Sequence, residues 1–193
     1  MILKKRLFIL GLISVLTVGV IPPANFTNHV VSTSVEVEAA AKNSSVTSLA
    51  KSVKKAYGEK YIPNVKLSKT EIKDKFLIDS NLYSSAYVEV PMISAHIDTL
   101  AIFKAKNEST KKKIVSKLKE YKKEQIEHTL QYPSNLLKLH ASKIYTNGNY
   151  VCFIMLGQVN RSVEESGDES AIIKAYQKQN LVAVNAIKKA LKK

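Results

Sequence analysis

His96 and Asp98 stand two residues apart in a stretch rich in Val, Ile, Tyr and Phe. On a strand they share one face, where an imidazole and a carboxylate can act as an acid–base pair or as two metal ligands. Glu124 and His128 are one turn apart in a helical pattern, a spacing that suits a metal pair or a plain helix contact of about 0.3 kcal/mol. His140 could join them, yet neither pair has a third ligand at recognisable spacing. The weightier account of both is structural: a polar, exposed side of a half-buried strand, and a contact on a helix surface. His96, Asp98, Glu124 and His128 are therefore the only site candidates, and no cofactor is implied.

Cys152 sits in the most apolar of the expected strands, Tyr150 to Leu156, where a thiol behaves as a small hydrophobe rather than a nucleophile. A Gly-rich phosphate loop, a Gly-x-Ser-x-Gly elbow and a zinc-type Cys/His set are all absent from the sequence. A non-catalytic protein is the expectation. The nine tyrosines read mainly as core rings with hydroxyls at the surface, the alternative being a polysaccharide groove lined by tyrosine and lysine.

The elements that position these residues are legible from periodicity and caps. Val46, Leu49, Ala50, Val53 and Ala56 predict a first helix, capped by Ser44 or Ser45 and stopped by Gly58. Ser68-Lys69-Thr70-Glu71 is a capping-box pattern, with Leu67 and Ile72 as the staple, and predicts a helix from Lys69 to about Phe76. Two strands are expected at Ala86–Ser94 and His96–Lys106, the first at a sheet edge or bulged because Pro91 cannot donate to a ladder.

Ser109 or Thr110 opens the longest helix, which reaches about Leu130 with Ile114, Leu118, Tyr121 and Gln125 inward and Lys and Glu outward. A strand from Leu137 to Thr146 then turns at Asn147-Gly148 into an all-apolar strand, Tyr150 to Leu156, that should be covered on both faces. Asp168 caps a last helix lined by Ile173, Tyr176, Asn180, Val184, Ile187 and Leu191. The fold class is thus α+β: an antiparallel sheet of about four strands packed with helices, in the order α-α-β-β-α-β-β-α.

Lys4, Lys5 and Arg6 precede a 15-residue apolar run, Leu7 to Ile21, and Ala39-Ala40-Ala41 offers small residues for cleavage. Residues 1–41 are expected to be a cleaved signal peptide, with Ala24 a weaker cleavage point and a retained anchor the alternative. The expected product is a single domain, 42–193, secreted or held at the cell envelope. It carries 27 basic against 14 acidic residues, a net +13. A charge of that size attracts anionic polymers or lipid headgroups, with solubility the bland alternative. Arg6 and Arg161 are the only arginines, which argues against sequence-specific nucleic-acid recognition. One cysteine permits no internal disulfide, which fits a bacterial exporter with a single membrane better than an extracellular eukaryotic domain.

Four stretches carry a family resemblance: Ala56-Tyr57 with Tyr61-Ile62-Pro63; Ser94 to Ala105; Gln131-Tyr132-Pro133; and Gly148 to Phe153. In their order and spacing the chain resembles DUF4358, a family of exported Gram-positive bacterial proteins of unknown function. Many members look like lipoproteins, whereas this chain lacks the cysteine that would be lipidated. The resemblance implies location and fold class only, and brings no catalytic residues.

The expected role is an exported module that associates with an anionic cell-wall polymer or membrane surface. The alternative is a protein-binding or inhibitory module, presenting an edge strand near Pro91 or the Tyr132-Pro133 loop to an unidentified protein. An enzyme using one of the His/carboxylate pairs is the third reading.

Overall fold

Ser45 Oγ accepts from the Ser48 N–H at 3.1 Å and starts α1, Val46–Tyr57, which ends where Gly58 takes a φ of 57°. Side-chain caps of this kind satisfy helix-end N–H groups that lack an intrahelical partner. Ser68 and Glu71 close the reciprocal capping box of α2, Lys69–Phe76. Asp168 Oδ1 accepts from Ala171 at 3.0 Å at the start of α6, Glu169–Leu191. Asn107 and Thr110 form a further reciprocal box at the head of α3, Glu108–Glu127.

The protein's structure is a computed structural model that describes residues 44–93 and 95–192, all within one compact unit. The expected signal peptide lies outside the described residues. Among those residues, no helix is long and apolar enough to cross a membrane.

Five strands form one antiparallel sheet in the order β1-β2-β3-β5-β4: β1 Val65–Lys66, β2 Tyr83–Val90, β3 Thr99–Ala105, β4 Lys143–Asn147 and β5 Tyr150–Met155. Two further α-helices, α4 Pro133–Ala141 and α5 Arg161–Glu164, and two single-turn 3-10 helices, Gly58–Lys60 and Ser80–Leu82, complete the described elements. The α+β class and antiparallel sheet are as expected, while three elements, β1, α4 and α5, are added to the expected order of strands and α-helices.

Two-residue β1 pairs Val65 with Val90 and Lys66 with Glu89, so the end of β2 next to Pro91 is covered, contrary to the edge expected there, while the rest of β2 has no strand partner on that side among the described residues. Pro91 falls just beyond β2, and the register irregularity lies at the opposite end, between Tyr83 and Ser85. Strand β3 begins at Thr99, three residues later than expected.

The strand expected from Leu137 is helical up to Ala141. Pro133 occupies the first turn, where its fixed φ favours a helix, and residues 134–143 contain no β-branched side chain to favour a strand. Asn147 pairs with Tyr150, which leaves Gly148-Asn149 as the two turn residues. Only Gly148 of the two has positive φ, at 51°, the pattern of a type II′ turn rather than the type I′ turn expected at Asn147-Gly148.

Alternation along β3 and β5 splits the core into two apolar layers. Leu100, Ile102, Cys152 and Ile154 face α1 and α6, while Ala101, Phe103, Phe153 and Met155 face α2 and α3. Every residue of β5 is buried, as its all-apolar sequence requires. On the second face, Phe76 meets Phe103, Tyr121 and Phe153 at centroid distances of 4.6–6.5 Å, edge-on or tilted geometries that aromatic quadrupoles favour.

Candidate functional site

The two His/carboxylate pairs do not assemble. His96 is exposed in the β2–β3 connection, whereas Asp98 is buried, so the shared face expected of them is absent. Strand geometry begins only after Asp98, so the two-residue alternation never reaches His96. Glu124 and His128 are both exposed, and their contact is the backbone bond closing α3, His128 N–H to the Glu124 carbonyl at 2.9 Å. The His128 ring instead lies 3.7 Å from Glu127. His140 is exposed on α4. Among the described residues, no group of three or more His, Cys, Asp or Glu side chains is placed to hold a metal.

Asp98 belongs to a buried polar network. Lys138 Nζ donates to Asp98 Oδ2 at 2.6 Å, and the Gly157 N–H donates to Asp98 Oδ1 at 3.2 Å. The Lys138 amine also lies 5.3 Å from the Tyr176 ring centroid, a cation–π contact. Nearby, fully buried Asn180 accepts from the Leu156 N–H and donates to the Ala141 carbonyl. These bonds tie the start of β3, the end of β5, α4 and α6 together, a clamping role.

A second buried carboxylate, Glu89, is held by Lys54 at 2.6 Å, Tyr87 at 2.6 Å and Tyr61 at 2.8 Å. Burial, and then the bond to Glu89, push both tyrosine hydroxyls up from their ordinary pKa. Desolvation opposes the charge on Lys54, but hydrogen bonds to Glu89 and Tyr87 outweigh it and raise its pKa. Among the tyrosines, Tyr57, Tyr83, Tyr87, Tyr150 and Tyr176 are core rings, as expected. Most of their hydroxyls are bonded internally instead of reaching the surface: Tyr57 to the Gln179 carbonyl, Tyr150 to the Ser44 carbonyl and Tyr176 to Glu164. Cys152 is wholly buried, which pushes its thiol up to about 12 and removes it as a nucleophile.

The clearest concavity, about 360 Å³, opens where the β2–β3 connection meets the end of α3 and the start of α4. Pro91 and Tyr132, far apart in sequence, line the same cleft, together with His96. Asn135 Nδ2 donates to the Ala95 carbonyl at 3.3 Å and joins the two connections. Gln125 and Gln131 face the cleft through a shared bond of 3.4 Å. No carboxylate lines it. Lys75 and Tyr121 stand at its junction with a neighbouring groove of about 530 Å³, whose lining includes Asp74, Glu120 and Glu124. Although the Lys75 side chain is largely exposed, its amine lies over the Phe76 and Tyr121 rings, and desolvation lowers its pKa. Burial pushes the Tyr121 hydroxyl up to about 12. Of the cleft residues, His96 was a chemical candidate from sequence, and Pro91 and Tyr132 were expected as parts of a protein-contact surface. Gln125 and Asn135 had no distinguishing local pattern, and Gln131-Tyr132-Pro133 carried the one available signal.

The lysine coat is unevenly placed. Helix α1 contains no acidic residue, and α6 contains none after Glu169. Lys51 and Lys55 on α1, and Lys174, Lys178, Lys188 and Lys189 on α6, are exposed and pair with no carboxylate among the described residues. The two helices share one layer, with Ser44 Oγ reaching the Ala190 carbonyl and Tyr57 Oη the Gln179 carbonyl. On α3, by contrast, Lys111, Lys117 and Lys123 are bridged to Glu108, Glu120 and Glu127.

Comparison with curated proteins and with solved structures gives no match. A family described as "Domain of unknown function (DUF4358)" matches residues 37–156, which include every described element from α1 to β5. By that match, which extends over more than half of its length, the chain belongs to the DUF4358 family.

Proposed function

We propose that this protein is an exported, non-catalytic module that associates with an anionic polymer of the cell envelope through the outer face of α1 and α6. The observation that carries the reading is the segregation of charge: exposed lysines line both helices with no acidic neighbour on α1 or on α6 beyond Glu169. Unpaired cations on a continuous surface keep their long-range field, whereas lysines bridged to glutamate, as on α3, have lost most of theirs. Lysine, a strongly hydrated point charge, suits a polymer of repeated phosphates or carboxylates without demanding a particular sequence of them.

The partner edge strand envisaged near Pro91 does not enter this reading, because β1 pairs with the Glu89–Val90 end of β2. The test is sedimentation of the purified protein with cell-wall sacculi, before and after removal of their anionic polymers, across a salt series. Binding that needs the polymer and fades as salt rises toward about 1 M, where screening reaches a few ångströms, is the expected result. Salt-sensitive binding of equal strength to stripped sacculi, or none to intact ones, would overturn the proposal.

A further inference from the structure

The cleft between the β2–β3 connection and the α3–α4 connection has a composition that the lysine face does not explain. Its volume, about 360 Å³, is at the small end of the range for small-molecule sites. Its polar groups are held in place yet incompletely used. Gln131 Nε2 donates to Gln125 Oε1 and to Thr129 Oγ1, and Asn135 Nδ2 donates to the Ala95 carbonyl. Gln125 Nε2, Gln131 Oε1, Asn135 Oδ1 and the Tyr121 hydroxyl have no partner among the described residues. Free donors and free acceptors therefore border this cleft together, Gln131 and Asn135 on it alone and Tyr121 and Gln125 at its junction with the neighbouring groove.

We propose that this cleft is a saccharide-binding site for about one or two sugar rings. A sugar hydroxyl donates and accepts at once, so it is complementary to a wall that offers both functions, as primary amides and a phenol do. An isolated anion would require donors alone, and the single cation at hand, Lys75, also faces the groove that holds Asp74 and Glu124. A metal cation is equally ill suited, since no carboxylate lines the cleft.

The apolar complement is present as well. Tyr132, 67% exposed at the cleft wall, offers a ring face to the C–H surface of a sugar, and Ile97 and Met155 supply apolar lining. The clamp of Asp98 on Lys138 fixes the two walls, because Ile97 and Thr99 flank Asp98 while Leu139 follows Lys138.

The experiment is a titration of the isotopically labelled protein with tri-N-acetylchitotriose and, separately, with maltotriose, following backbone amide shifts. Saturable shifts confined to the residues that line the cleft, Tyr121 and Met155 as well as those in 90–99 and 125–139, and unchanged by salt, are expected for at least one of the two probes. Tyr132→Ala and Gln125→Ala should each weaken that affinity about tenfold. Both side chains lie outside the core, and an unchanged thermal midpoint would confirm that the variants fold. Absence of shifts with either probe up to about 10 mM, or binding indifferent to both substitutions, would overturn the assignment. The probes are neutral, so failure here leaves the lysine-face reading untouched, and failure of sacculus binding leaves this one untouched.

Discussion

Lys138 Nζ lies 2.6 Å from Asp98 Oδ2, with the two side chains 8% and 1% exposed, across 40 residues of sequence. A buried pair of this kind contributes little net stability over an apolar pair, because desolvation offsets the Coulomb attraction. Its effect is geometric: it leaves few ways to dock α4 against the start of β3. Removing one partner is costly, since it strands a charge out of water. Lys138→Met should therefore lower unfolding free energy by about 3–5 kcal/mol in urea denaturation. Adding Asp98→Asn should recover part of that loss, because an amide oxygen still accepts from Gly157. A double variant as unstable as the single one would show that the pair is not what the substitution disturbs.

Much of what a sequence shows here is local. Ser45, the Ser68/Glu71 box and Asp168 lie within four residues of the N–H groups they serve, so their helix starts could be read directly. The two buried carboxylates could not, because Asp98 finds Lys138 and Glu89 finds Lys54 and Tyr61 only after the sheet has assembled. Two-residue β1 is too short for any periodicity, and in α4 the favourable first-turn position of Pro133 outweighed an apolar run that reads as a strand. His96 and Asp98 were paired on the assumption that strand alternation continued through them, while the chain is still turning there.

Gly157 offers a check on the same network from the other side. Its φ is 94°, and a Cβ at this position would stand 2.7 Å from Gln179 Cβ. Both the backbone conformation and the space exclude a side chain, while its N–H must reach Asp98. Gly157→Ala should destabilise by more than about 1 kcal/mol, whereas at a compatible position replacing glycine stabilises by roughly 0.4–1 kcal/mol. Pairing it with Gln179→Gly, which relieves the contact but not the φ, should restore only part of the stability. Full restoration would mean that crowding alone governs the site.

Alkaline pH should unfold the protein in a defined window. Burial raises the Cys152 thiol from 9.0 to about 12 and the Tyr121 hydroxyl from 10.0 to about 12, and Tyr57, Tyr61 and Tyr176 shift in the same direction. In each case the native state keeps a proton that the unfolded chain releases, so stability falls as pH rises. The contribution is complete below the unfolded value, near 9 for the thiol, and is lost as pH climbs toward about 12. Melting temperature followed against pH should fall across that range, with tyrosinate absorbance appearing together with loss of helix. Cys152→Ala should flatten the onset of the decline, whereas an unchanged onset would remove the thiol from the account.

The lysines of α3 and α6 make a matched comparison for the proposed envelope contact. Reversing Lys174, Lys178 and Lys189 to glutamate replaces exposed, unbridged cations on a face where the rest of α6 beyond Glu169 is free of acid. Reversing Lys112, Lys113 and Lys119 changes net charge by the same amount on a helix that already carries Glu108, Glu120, Glu124 and Glu127. If attraction depended on total charge alone, both triple variants would lose sacculus binding equally, because long-range steering follows the summed field. A localised contact predicts that the α6 variant loses most of its sedimentation at about 0.1 M salt, where the Debye length is about 10 Å, while the α3 variant retains it. The substituted positions are exposed, so circular dichroism and the thermal midpoint of both variants should match the parent protein. Comparable losses in the two would disperse the contact over the whole lysine coat and remove the special place given to α1 and α6.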